Sequence, residues 1–124
     1  MTASTSPTAR TLARCRAQGW PAQTVERWNP HARIRQDLFG CVDVVALDGL
    51  PGVLGIQACA GASAAARLAK VQALAQEDAI ATWLASGNRL EVWAWRKVGV
   101  RGKRKLWEVR VIPVTAAGAA LEVA

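Results

Sequence analysis

Residues 35–61 read RQDLFGCVDVVALDGLPGVLGIQACAG. Two apolar runs, Cys41 to Leu47 and Val53 to Cys59, flank a Gly/Pro turn opened by Asp48-Gly49. Their spacing and composition predict two strands close enough to form a hairpin. One acid, Asp43, lies inside the first run, and Gln57 lies at the matching place in the second. Side chains alternate faces along a strand, so Asp43 shares a face with Cys41, Val45 and Leu47, and Gln57 with Gly55 and Cys59. A register that makes Asp43 and Gln57 neighbours converges two oxygen donors on one spot. A buried carboxylate is costly unless it is paired or bound to a cation. A hard divalent ion such as Mg²⁺ (or Mn²⁺) accepts carboxylate, amide and backbone oxygens.

Outward from this hairpin the chain alternates helix and strand. Ser6-Pro7 reads as an N-cap followed by proline at the first helical position, and the helix runs to about Gln18, stopped by Gly19 and Pro21. Leu12 and Ala13 are its inner-facing candidates, with Arg10, Arg14 and Arg16 mostly on one side. Gln23 to Trp28 reads as a short strand, broken by Asn29-Pro30-His31. Gly61 to Leu74 is helical, and Glu77 to Ala85 continues or restarts the helix on Ile80, Trp83 and Leu84. Arg89 to Val98 and Lys105 to Val114 are two further strands. The order α-β-β-β-α-β-β predicts an α/β fold with a single central mixed sheet flanked by helices. No repeat or linker interrupts it, so 1–124 reads as one domain, with loose ends at 1–5 and about 116–124.

The chain has 124 residues, 52% of them hydrophobic and 20% charged, enough apolar matter for one core. Its net charge of +7 points to a polyanion as partner, most often nucleic acid, although an arginine- and alanine-rich composition also follows from a GC-rich genome. Three cysteines without a CxxC and a single histidine, His31, argue against a zinc cluster. The start lacks the apolar core of a signal peptide, and no run is long enough to span a bilayer. The expectation is a cytoplasmic protein with reduced thiols and no membrane partner.

An Asp on one strand of a hairpin, followed after the turn by Glu-x-Lys on the next, is the pattern of the PD-(D/E)xK nuclease superfamily. The stretch VDVVALDGLPGVLGIQAC resembles it, and the αβββαβ order resembles that superfamily's restriction-endonuclease-like core. The lead-in RIRQDLFGCVDVVAL is closest to small archaeal and phage Holliday-junction resolvases and related phage nucleases. The resemblance covers about residues 6 to 97. It implies metal-dependent endonuclease activity on DNA, with branched DNA as a candidate substrate, with Mg²⁺ or Mn²⁺, in a homodimer formed through apolar sheet or helix surface. It gives Asp43 the role of the metal-binding Asp. Gln57 stands where the Glu usually stands, and Cys59 where the catalytic Lys stands.

Those replacements shift the expected roles. Glutamine donates a neutral carbonyl oxygen without charge, and cysteine supplies no cation. Lys70, or else Arg67, on the following helix is the candidate to replace the missing lysine. Glu26 and Asp37 are candidates to complete the metal shell. Each has a plainer reading. Glu26 pairs equally well with Arg27 or Arg35, Asp37 with Arg33 or Arg35, and a lysine on an alanine-rich helix is most often solvated. Cys59 suits a small buried apolar position better than a nucleophile.

Arg33, Arg35, Arg67 and the basic turn containing Arg101, Lys103, Arg104 and Lys105 are the candidate phosphate contacts. Of the six tryptophans, Trp83, Trp93, Trp95 and Trp107 fit the core or an interface by strand parity, and Trp20 and Trp28 fit partial exposure. Two rivals stand beside the nuclease. One is a catalytically degenerate DNA-binding protein of the same fold. The other is a protein-interaction module, such as a phage inhibitor of host defence.

Overall fold

The computed structural model describes residues 6–99, 102 and 105–115. Arg101, Lys103, Arg104 and both expected loose ends lie outside the described residues. Helix α1 (Pro7–Ala17) starts as the sequence dictates. The Ser6 hydroxyl accepts from the Ala9 N–H at 3.1 Å, and Pro7 occupies the first turn, where no N–H is needed. Its buried residues are Thr11 and Cys15, one turn apart, with Leu12 packed beside them. Ala13 is exposed, which corrects the expectation that it faces inward. The inner stripe follows the i, i+4 spacing of Thr11 and Cys15, and Ala13 lies off it.

The single strand expected over 23–28 is two strands. Ala22–Thr24 (β1) joins the main sheet, while Arg27–Asn29 (β2) pairs with Ile34–Gln36 (β3) in a separate two-stranded ribbon. Both ribbon strands are almost wholly exposed, so they carry no apolar alternation for a sequence reading to detect. The Asn29 carboxamide turns the ribbon by accepting the N–H groups of His31 and Ala32.

The main sheet has the order β1-β4-β5-β6-β7. The remaining strands are Val44–Ala46 (β4), Leu54–Ala60 (β5), Arg89–Val98 (β6) and Leu106–Val114 (β7). β5 and β6 run parallel, and every other neighbouring pair is antiparallel. β5 is the central strand and is buried from Leu54 through Cys59, as expected of a strand covered on both faces. The link from β5 to β6 carries a 3-10 turn (Gly61–Ser63), α2 (Ala64–Leu74) and α3 (Asp78–Ala85). The fold is therefore α/β, with one mixed five-stranded sheet flanked by helices.

Strand alternation sorts the core into two layers. Val44, Ala46, Leu54, Ile56, Trp93 and Trp95 face α1, where Trp95 Nε1 donates to the Thr11 hydroxyl at 2.9 Å. On the other face Cys59, Leu90, Val92 and Ala94 meet Val71, Ala75 and Ile80. Trp107 departs from the core expectation: it is 42% exposed, with the Arg10 guanidinium 3.4 Å from its ring centroid. It sits near the start of the end strand, where α1 meets its ring through the Arg10 side chain and not through an apolar residue. Trp20 is half-buried, edge-on to Trp93.

Candidate metal centre

The β4–β5 register pairs Val44 with Ile56 and Val45 with Gly55. One step further places Asp43 opposite Gln57, and the Asp43 N–H still donates to the Ile56 carbonyl at 2.9 Å. Alternation turns both side chains toward the α2 layer. Asp43 is 3% exposed and Gln57 1%. Gln57 Nε2 donates to Asp43 Oδ2 at 2.5 Å, and the Ala58 N–H donates to the same oxygen at 2.9 Å.

The ribbon supplies the other acids. Its register pairs Arg27 with Gln36, so Glu26 and Asp37 face each other just below the first rung, at the ribbon's base. Glu26 lies in the link between β1 and β2, and not on a strand as expected. Nearby, the Val25 N–H donates to the Asp43 carbonyl at 2.8 Å, fixing this base against β4. One carboxylate oxygen from each of Glu26, Asp37 and Asp43 lies within 4.8 Å of the other two.

Each outer acid has a cation. Arg35 Nη1 lies 3.0 Å from Glu26 Oε1, and Lys70 Nζ lies 3.9 Å from Asp37 Oδ2. Lys70 thus replaces the Arg33 or Arg35 expected as the partner of Asp37. No cationic side chain among the described residues contacts Asp43. Burial, then a hydrogen bond to Asp37, pushes the Asp43 carboxyl up to about 8, against the Ala58 N–H and Gln57, which favour its charged form. Without a cation the cluster therefore keeps a proton at neutral pH.

Gln57 Oε1 is a second mark of an incomplete site. It is buried and has no hydrogen-bond partner, a condition native structures avoid. Three converging carboxylates, with an unpartnered amide oxygen on the neighbouring Gln57, offer oxygen donors of the kind that suit Mg²⁺ or Mn²⁺ and suit zinc poorly. These donors line one cleft of about 320 Å³, together with Cys59, Ser63 and Arg67.

No family model matches the chain, and neither the curated proteins nor the solved structures contain a match.

The remaining candidates divide by position. Arg67 lines the cleft itself, whereas Lys70 borders it through Asp37. Cys59 also lines the cleft, and burial raises its thiol above the ordinary value while Arg67 opposes the rise. It stays a neutral thiol at physiological pH, so it takes no part of a lysine's role. Arg33 lies in the exposed turn of the ribbon, and Lys105 is exposed just before β7; neither lines the cleft. The Ala58 N–H and the hydroxyl-bearing Ser63 are functional neighbours that the sequence reading missed. A backbone donor leaves no trace in a sequence, and Ser63 carries no signal beyond its place at the start of α2.

Proposed function

We propose that the chain is a metal-dependent DNA endonuclease, resembling the PD-(D/E)xK nucleases, whose metal site is the Glu26, Asp37, Asp43 and Gln57 cluster. The observation that carries this reading is the convergence of three carboxylates, beside a glutamine whose amide oxygen is buried and unpartnered, with all four residues lining one open cleft. Leaving aside the separate ribbon and α3, the order α1, β1, β4, β5, α2, β6, with the acid just before β4 and the amide on β5, supports the same reading.

A divalent ion held there supplies positive charge that polarises a scissile phosphate and acidifies the attacking water. The protein's own groups do the rest. Asp43, with its proton given up to solvent, would be an anionic ligand for the ion. The Ala58 N–H and the Gln57 amide hold its carboxylate in one orientation. Arg67, at the cleft wall, donates to phosphate oxygens as negative charge develops, which is the task left open by Cys59. Lys70 positions Asp37.

The test is cleavage of linear, flap and four-way-junction DNA with Mg²⁺ or Mn²⁺, beside Asp43→Asn. Metal-dependent cleavage that falls by at least about 10²-fold in the variant is the expected result. The absence of a lysine at position 59 favours one second reading, a non-hydrolytic DNA-binding protein that keeps the metal. Mn²⁺ binding without cleavage of any substrate selects that reading. Failure of Mn²⁺ to bind at Asp43 sinks both.

A further inference from the structure

The ribbon of β2 and β3 gives no residue to either core layer, and both its strands are almost wholly exposed. A two-stranded ribbon with neither face covered is marginal in water, so packing does not account for it. Its charge is one-sided. Between Glu26 and Asp37 the chain carries Arg27, Arg33 and Arg35 and no acid. Glu26 holds Arg35 at 3.0 Å, whereas Arg27 and Arg33 are exposed and make no ion pair among the described residues. This surface suits an anionic ligand.

Alternation gives the ribbon two different faces. The register sets Trp28 across from Arg35, and two residues further toward the base come Glu26 and Asp37. Trp28 therefore stands on the acid-bearing face, about 7 Å along the ribbon from the carboxylate rung. Arg27, Asn29, Ile34 and Gln36 turn to the opposite face. Trp28 is 57% exposed and joins neither core layer, unlike Trp93 and Trp95. An open indole is a platform on which a nucleobase stacks. At about 3.4 Å per stacked nucleotide, its ring lies about two nucleotides from a phosphate held at the acids. A base inside a duplex is stacked on both sides and has no free face to offer. An unpaired base has one.

We propose that Trp28 is a stacking platform for an unpaired base of DNA, and that the ribbon thereby makes the chain prefer single-stranded over fully paired DNA. The proposal rests on the nuclease reading only for the place of the reacting phosphate. The stacking contact itself needs no metal.

Fluorescence anisotropy without metal tests it, with a labelled oligothymidylate and a blunt duplex of equal length. The proteins are the wild type, Trp28→Ala and Trp28→Phe, neither of which removes a core contact. Trp28→Ala weakens binding of the single strand about fivefold or more, and binding of the duplex less than about twofold. Trp28→Phe keeps a ring and recovers most of the loss. Oligothymidylate quenches the tryptophan emission of the wild type, and Trp28→Phe loses most of that quenching. Equal losses on both DNAs, no loss in Trp28→Ala, unchanged quenching in Trp28→Phe, or a wild type that binds no single strand each overturns the proposal. Cleavage judges the nuclease reading separately. The Trp28 effects without metal-dependent cleavage remove that reading alone, and Asp43-dependent cleavage without the Trp28 effects removes the platform alone.

Discussion

At the scale of single residues, Asp43 governs the behaviour of the centre. Its carboxyl titrates near 3.9 in an unfolded chain and is pushed up to about 8 in the fold. Between those values the folded chain holds the extra proton. The group's contribution to metal-free stability is thus full below about pH 4 and is lost as the pH rises through 8, at no more than about 1.4 kcal/mol per unit. Urea denaturation without metal should show this loss between pH 5 and 8, and Asp43→Asn should flatten it. A metal bound as proposed would displace the same proton, so the apparent affinity for Mn²⁺ should rise up to tenfold per unit toward pH 8, read by calorimetry. Gln57→Glu tests the neighbour. A fourth carboxylate in the cluster, and the second buried one, should lower the metal-free melting temperature and enlarge the rise produced by Mn²⁺. Equal melting curves with and without Mn²⁺ would place Gln57 outside the shell.

At the scale of elements, β5 places the site and the elements around it hold β5. Gly55 lies under the Trp83 indole, and a Cβ there would come within 2.9 Å of the ring and 3.2 Å of Val42. The ring cannot swing away freely, since Trp83 Nε1 donates to the Arg89 carbonyl at 2.9 Å. Gly55→Ala should cost about 1–3 kcal/mol by overpacking, measured by urea denaturation. The β4–β5 turn is anchored at its far end. Arg89 grips Asp48 through two parallel hydrogen bonds of 2.7 and 2.6 Å, and this grip holds the Asp48 carboxyl below its usual range. Arg89→Lys keeps the charge and loses the fork, so it should cost on the order of 1 kcal/mol in the same assay.

At the scale of the whole molecule, the sheet separates two tasks. The face under α1 is packed with aliphatic and tryptophan side chains, while the α2 face opens at one end into the acid-lined cleft. No helix among the described residues is long and apolar enough to cross a membrane. The chain combines a net charge of +7 with a locally acidic cluster, a combination suited to drawing a polyanion toward the proposed cation site. DNA affinity, measured by fluorescence anisotropy without metal, should therefore fall with salt. A footprint of about three phosphates loses roughly 40-fold between 50 and 200 mM. Binding that ignores salt would instead favour a protein partner.

The linear sequence determined the helix starting at Ser6-Pro7, the central hairpin, the helical link and the last two strands, because caps, turn residues and apolar runs are local signals. It also set Asp43 opposite Gln57, since a period of two settles facing once the register is known, although the strand expected from Cys41 starts only at Val44, one residue after the acid. Only the tertiary structure decided that Glu26 and Asp37 join them. Those two acids stand eleven positions apart, at the base of an exposed ribbon with no apolar period, and they meet only after the ribbon folds against β4. The choice of Arg67 over Lys70 at the cleft wall, and the exposure of Trp107, were likewise set by packing between distant elements, which short-range physics along the chain does not encode.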